Sequence, residues 1–198
     1  MPVVIQNLTF SIKQCLIQVN DQILVEKIKD GNRKAFEELV LKYQKEIYFL
    51  AYRMLLNKED AADVVQETFV QVFRKIHQFH SFSTFKTWLY RVAINQCKNF
   101  LRTLKKNRES APVEDYVVTD PNDSQLDLLL KNEKVDLISE TIEKLPKKQK
   151  AILILRTYQE LSYEDIAEIV GGSVNSAKVN FHHAIENIKR LVNKHPEA

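Results

Sequence analysis

The chain is poor in the residues that punctuate and cross-link a polypeptide. Three glycines and five prolines in 198 residues argue against a turn-rich all-β fold. No glycine-rich loop of the kind that cradles a nucleotide phosphate is present. The two cysteines, Cys15 and Cys97, have neither metal-site nor redox spacing, so a reduced, cytoplasmic chain is expected. Cys97 lies among apolar neighbours and reads as a small buried hydrophobe. No stretch is apolar enough to cross a bilayer, and the first residues lack the basic start, apolar run and small-residue cleavage site of a signal peptide. Paired catalytic carboxylates and metal-ligand spacings are also missing. His182 and His183 are adjacent on an expected helix, where their rings diverge rather than chelate. The expectation is a protein that is not an enzyme, holds no cofactor or metal and does not insert into membranes.

What remains is charge and helical periodicity. Charged residues make up 28% of the chain, yet the net charge is only +3. The distribution is more informative than the total. No acid occurs from Lys86 to Arg108, whereas Glu109, Glu114, Asp115, Asp120, Asp123 and Asp127 follow closely; basic residues return at Lys144 to Lys150 and around Lys178, Lys189, Arg190 and Lys194. Any one run is also compatible with a solvated helix face. Repetition on both sides of an acidic stretch suggests two polyanion-facing modules.

Apolar spacing predicts an all-α chain. Asp21 to Lys29 reads as a short helix ended by Gly31-Asn32, and Ala35 to Leu56 as a long one with a stripe from Phe36 to Met54. After Asn57 comes Glu59 to Ile76, with Ala62, Val65, Phe69, Val72, Phe73 and Ile76 expected inside. His77 to Ser83 is a loop. Thr84 to Leu104 is a helix with Phe85, Trp88, Leu89, Val92, Ile94 and Leu101 as its apolar residues. Lys105 to Asp123 loses periodicity and contains Pro112 and Pro121, so it reads as a flexible acidic linker. Helix resumes from Ser124 to Leu145, and Pro146 opens the next, Lys147 to Tyr158. The expected domains are an extension of unassigned role at 1–20, a helical domain at 21–104, a linker at 105–123 and a second helical domain at 124–198.

The second domain ends in two helices across a tight turn. Ser162 is a natural N-cap with Asp165 three residues on, Gly171-Gly172 supplies positive φ, and Ser173 can cap a helix running to about Val192. This is the pattern of a helix-turn-helix, whose second helix enters the DNA major groove. Candidate DNA contacts are Ser173, Asn175, Ser176, Lys178, Val179, Asn180, His182 and His183; Asn suits adenine, and Lys suits guanine or phosphate. An ordinary helical hairpin is the plainer alternative, and a free-standing helix-turn-helix regulator another; neither accounts for Asp60 to Leu101.

Those residues carry a resemblance. Asp60 to Phe73, with its Val65-Gln66-Glu67-Thr68-Phe69 core, resembles the second conserved region of the bacterial RNA polymerase sigma factors of the extracytoplasmic-function type, in the sigma-70 family. Phe85 to Asn95, with Trp88-Leu89-Tyr90-Arg91-Val92-Ala93-Ile94-Asn95, resembles that family's promoter-melting and minus-ten-reading helix, and Leu145 to Leu191 its fourth region. The resemblance implies core RNA polymerase and promoter DNA as partners. Many members of the family are held inactive by an anti-sigma protein, a third partner implied. It also implies roles: Asp63, Gln66, Glu67 and Phe73 at the polymerase clamp; Thr84, Lys86, Thr87, Tyr90, Arg91 and Asn95 facing minus-ten DNA; and Phe79, His80 and Phe82 stacking on a base turned out of the duplex. The helix-turn-helix would read the minus-thirty-five element, and the acidic linker would thread the polymerase toward its active-site channel. Departures occur at Ser81, where glycine is common, and at Asn180 and His183, where arginine is common. At Gly172 the family usually has an apolar residue, so a more loosely packed turn is expected.

Overall fold

The computed structural model describes residues 20–80, 83–110, 141–142 and 144–192. The chain divides into two compact units with the boundary between Cys97 and Lys98. Every regular element among the described residues is helical. The first residues of the expected linker, Lys105 to Ser110, are helical; its remainder, 111–123, most of the helix expected from Ser124 to Leu145, the residues before 20 and after 192, and Ser81 and Phe82 lie outside the described residues.

In the first unit, α1 (20–29) buries Leu24, Val25 and Ile28. Asp21, only 2% exposed, accepts hydrogen bonds from the Tyr43 hydroxyl and the Lys42 ammonium, which ties α1 to the next helix. Helix α2 (Arg33–Leu55) begins where Asn32 accepts from the Ala35 amide, and it buries Leu39, Tyr43, Ile47, Leu50 and Met54 along one stripe. Each fully buried Leu or Ile contributes roughly 1.5–3 kcal/mol. Leu56 ends α2 in the left-handed region at φ 58, its amide bonding Tyr52 O at 2.7 Å.

Asn57 caps α3 (Lys58–Lys75) by accepting from the Asp60 amide at 2.9 Å. Glu59 and Asp60 in the first turn, with Arg74 and Lys75 in the last, match the helix dipole. The buried stripe is Ala61, Val64, Thr68, Phe69 and Val72. Ala62 and Val65, expected inside, are half-buried, and Phe73 is 53% exposed. The inward face includes Thr68, whose hydroxyl is satisfied by Val64 O at 2.6 Å. After a 3-10 turn at Ile76–Gln78, Thr84 caps α4 (Phe85–Ser110) by accepting from the Thr87 amide at 3.1 Å. This helix continues six residues beyond the expected end at Leu104. Cys97 is fully buried, as its apolar neighbours suggested.

In the second unit, α5 (Lys147–Thr157) starts directly after Pro146 and buries Ile152, Leu153, Ile154 and Leu155. Ser162 caps α6 (Tyr163–Val170): its hydroxyl accepts from the Asp165 amide at 3.0 Å and donates to the Asp165 carboxylate at 2.6 Å. The turn passes through Gly171 at φ 76 and Gly172 at φ 134. Ser173 then caps α7 (Val174–Val192), accepting from the Ser176 amide at 3.1 Å. Leu145, Leu153 and Ala184 form a core joined by Ile142, Phe181, Ile185 and Ile188. The Asn187 amide donates to Gln149 at 3.1 Å, linking α7 to α5.

Candidate nucleic-acid and polymerase interfaces

Helix α7 presents the clearest face. Asn175, Lys178, Val179, His182 and His183 are all exposed, at spacing i, i+3, i+4, i+7 and i+8, one continuous stripe. Ala177 and Ala184 are buried on the other side. Ser173 is exposed but its hydroxyl is engaged as a cap. Ser176 and Asn180, expected to be exposed, are half-buried. The Asn180 amide donates to Ser176 O at 2.8 Å, one turn back in its own helix, so its hydrogen-bonding capacity is partly spent. Behind the stripe, the Tyr163 ring packs edge-on against Phe181, with the Arg156 guanidinium 4.8 Å and the Lys178 ammonium 5.8 Å from its centroid.

In the first unit, the outer side of α3 forms a second stripe. Asp63, Gln66, Glu67 and Phe73 are all exposed. Val70, 41% exposed, completes the stripe at i+7 from Asp63. The Phe73 ring stands edge-on to Phe36 with centroids 5.1 Å apart, a partly exposed aromatic pair beside the acidic and amide groups. The Asp60 carboxyl at the head of this helix is held above its ordinary range by partial burial, then by Asp63 and Glu59.

The face of α4 differs from the expected one. Thr87 and Tyr90 were expected to face outward; both are buried, at 2% and 0% exposure. The Thr87 hydroxyl is 2.9 Å from that of its cap residue, Thr84. The Tyr90 ring fills the core while its hydroxyl donates to Glu46 at 2.8 Å. Phe79, expected to stack on a base, is 5% exposed and packs against Phe85 and Trp88 with centroids 5.8 and 5.4 Å away. Trp88 and Val92, expected in the core, are half-buried, whereas Leu89 is fully buried. What this face offers is Asn95 and His80, both exposed, with Thr84, Lys86 and Arg91 half-buried.

Glu46 on α2 joins the site from a distance. It accepts from Tyr90 and also from the Lys86 ammonium at 3.1 Å, while Lys86 lies 5.5 Å from the Tyr90 ring centroid. Lys86 is therefore held in an ion pair. Burial, and then the Glu46 charge, push the Tyr90 hydroxyl well above the ordinary tyrosine range. No local sequence signal marks Glu46, because its partners lie 40 and 44 residues away.

One helical unit thus carries a capped helix-turn-helix, and the other an exposed helix face bearing Asp63, Gln66 and Glu67. Residues 39–107 match the Sigma-70 region 2 family model and residues 136–188 the Sigma-70 region 4 model. The chain is 36% identical to the ECF RNA polymerase sigma-E factor of Haemophilus influenzae over 88% of its own length and 96% of that protein's. It is 35% identical to the RNA polymerase sigma-H factor of Pseudomonas aeruginosa, over 89% and 96% respectively. The chain belongs to the extracytoplasmic-function RNA polymerase sigma factors, which are initiation factors and not enzymes. Its fold resembles CnrH, solved with the cytosolic domain of CnrY (TM-score 0.67, 21% identity, 88% of this chain and 98% of that one). It also resembles the sigma factor RpoE of Bartonella quintana, solved with the anti-sigma factor NepR (TM-score 0.63, 21% identity, 81% and 98%). No helix among the described residues is long and apolar enough to cross a membrane.

Proposed function

We propose that this sigma factor divides its work between two helical domains. The 21–104 domain docks core RNA polymerase through the α3 stripe of Asp63, Gln66, Glu67, Val70 and Phe73. Its α4 face, with His80, Thr84, Lys86, Arg91 and Asn95, meets and opens the minus-ten element. Phe79, Thr87 and Tyr90 support that face from inside. The 124–198 domain reads the minus-thirty-five element through α7. The observation that carries this reading is the exposed Asn175, Lys178, Val179, His182 and His183 stripe, directly after a capped glycine turn. Amide and ammonium groups there suit base edges and phosphates together. The protein acts in the cytoplasm. The structural relative solved with the anti-sigma factor NepR supports an anti-sigma protein as a partner of this chain too.

The test is reconstitution. Purified protein should bind core polymerase and direct initiation from discrete sites in a genomic fragment library. Failure of a core-polymerase pull-down at low salt sinks the reading. Tight, specific DNA binding without polymerase identifies a free-standing regulator instead.

A further inference from the structure

The Gly171–Gly172 turn contains no side chain, yet it is braced. The Lys148 ammonium, from the first turn of α5, donates to Gly171 O at 2.9 Å. A Cβ placed on Gly172 would sit 3.4 Å from that same nitrogen and 3.8 Å from the Ser176 hydroxyl. The lysine tip therefore rests against the turn from the side where a residue larger than glycine would project. The lysine tip takes part of the space beside Gly172, while a Cβ on Gly171 would meet nothing within 4 Å, so the turn keeps the open packing expected from sequence and gains a polar brace.

The electrostatics point the same way. Lys147, Lys148 and Lys150 crowd the start of α5, which has no acid in its first turn and no side-chain cap. Cations at a helix N-terminus oppose its dipole. Gly171 O, in contrast, lies at the C-terminal end of α6, where a cation is favoured and can bond the last carbonyls. The position of Lys148 is unfavourable for the helix that bears it and favourable for the helix it touches.

We propose that Lys148 is a positioning residue for the DNA-reading helix. By holding Gly171 O, it fixes the turn whose backbone leads directly into the Ser173 cap. It thereby sets the angle at which the α7 stripe meets the upstream element. The DNA-facing half of this inference rests on the reading of α7 given above.

The test uses the full chain bound to core polymerase and two DNA fragments. One is a promoter selected by the unmodified holoenzyme from a genomic library; the other is the same fragment with its upstream element scrambled. Loss of one charged hydrogen bond at an exposed site predicts that Lys148→Ala lowers the affinity ratio between the fragments about three- to tenfold. The salt dependence should be unchanged, and Lys148→Arg, which can donate to the same carbonyl, should restore the ratio. In the free full-length protein, the Ser176 and Ala177 amides, bonded to Ser173 at 3.1 and 3.0 Å, should exchange faster in Lys148→Ala and not in Lys148→Arg. If Lys148→Ala unfolds the domain, Lys148→Met keeps the aliphatic stem and removes only the donor. An equal loss on both fragments, with a salt slope smaller by about one, makes Lys148 a phosphate contact and overturns the proposal. Unchanged amide exchange overturns it as well. If scrambling does not affect the unmodified holoenzyme, the DNA reading of α7 falls and the positioning role falls with it; accelerated exchange would then still show that the brace exists.

Discussion

Tyr43 and Tyr90 are buried phenols whose hydroxyls donate to carboxylates, Asp21 and Glu46. Burial first, and the adjacent carboxylates second, push both hydroxyls above the ordinary tyrosine value of 10.0. Because the folded state resists their ionisation and the unfolded state does not, their contribution is fully present below pH 10.0 and is lost as the pH rises beyond it. Of the seven tyrosines, two should therefore ionise only together with alkaline unfolding, visible as a late phase in tyrosinate absorbance. Tyr43→Phe and Tyr90→Phe should each remove part of that phase. Glu46 makes a second prediction. Glu46→Gln keeps an oxygen for Tyr90 but releases Lys86 from its ion pair. Single-stranded minus-ten DNA should then bind the holoenzyme more tightly, with a salt slope steeper by about 0.7, one added phosphate contact. Lys86→Ala should cancel the gain, and unchanged binding in Glu46→Gln would show that Lys86 does not reach DNA.

At the level of elements, helix starts were legible, the end of α4 and the inward faces less so. Asn57, Ser162 and Ser173 start helices where the sequence places them, because a side-chain cap acts over three residues. Ser162→Ala should accordingly destabilise the C-terminal domain by about 1 kcal/mol, measured by urea unfolding of the full chain. The inward face of α4 depended on chemistry that periodicity does not carry. Tyr90 reads as amphipathic, and its burial requires a hydrogen-bond acceptor from another helix, Glu46. Thr68 likewise reads as polar but satisfies its hydroxyl within its own helix and is buried, whereas Phe73 lies outside. The α7 stripe was legible for the opposite reason: its exposed residues are polar and its buried ones small, so pattern and packing agree. Asn180 is the exception, drawn back onto Ser176 by a bond that any Asn on a helix has within reach.

For the whole molecule, the α3 and α7 stripes belong to different compact units. Sites without shared partners add in free energy within about 0.3–0.5 kcal/mol. Phe73→Ala should weaken core binding by more than about 1 kcal/mol as a partly exposed aromatic anchor. Lys178→Ala should weaken upstream-element binding by about 1–3 kcal/mol and leave core binding intact. The double variant should show the product of the two affinity losses in promoter-complex formation; a marked departure would reveal coupling between polymerase docking and upstream reading. The tie at Asp21 has a different reach. Losing Tyr43 alone leaves a buried carboxylate short of a donor, at a cost of about 1–3 kcal/mol, whereas replacing both partners by apolar groups of matching shape can be nearly neutral. Positions 21, 42 and 43 should therefore be inherited as a unit: across related chains, a lineage that gives up the acid at 21 should also give up the phenol at 43, leaving a covariation signal between residues 22 apart in sequence.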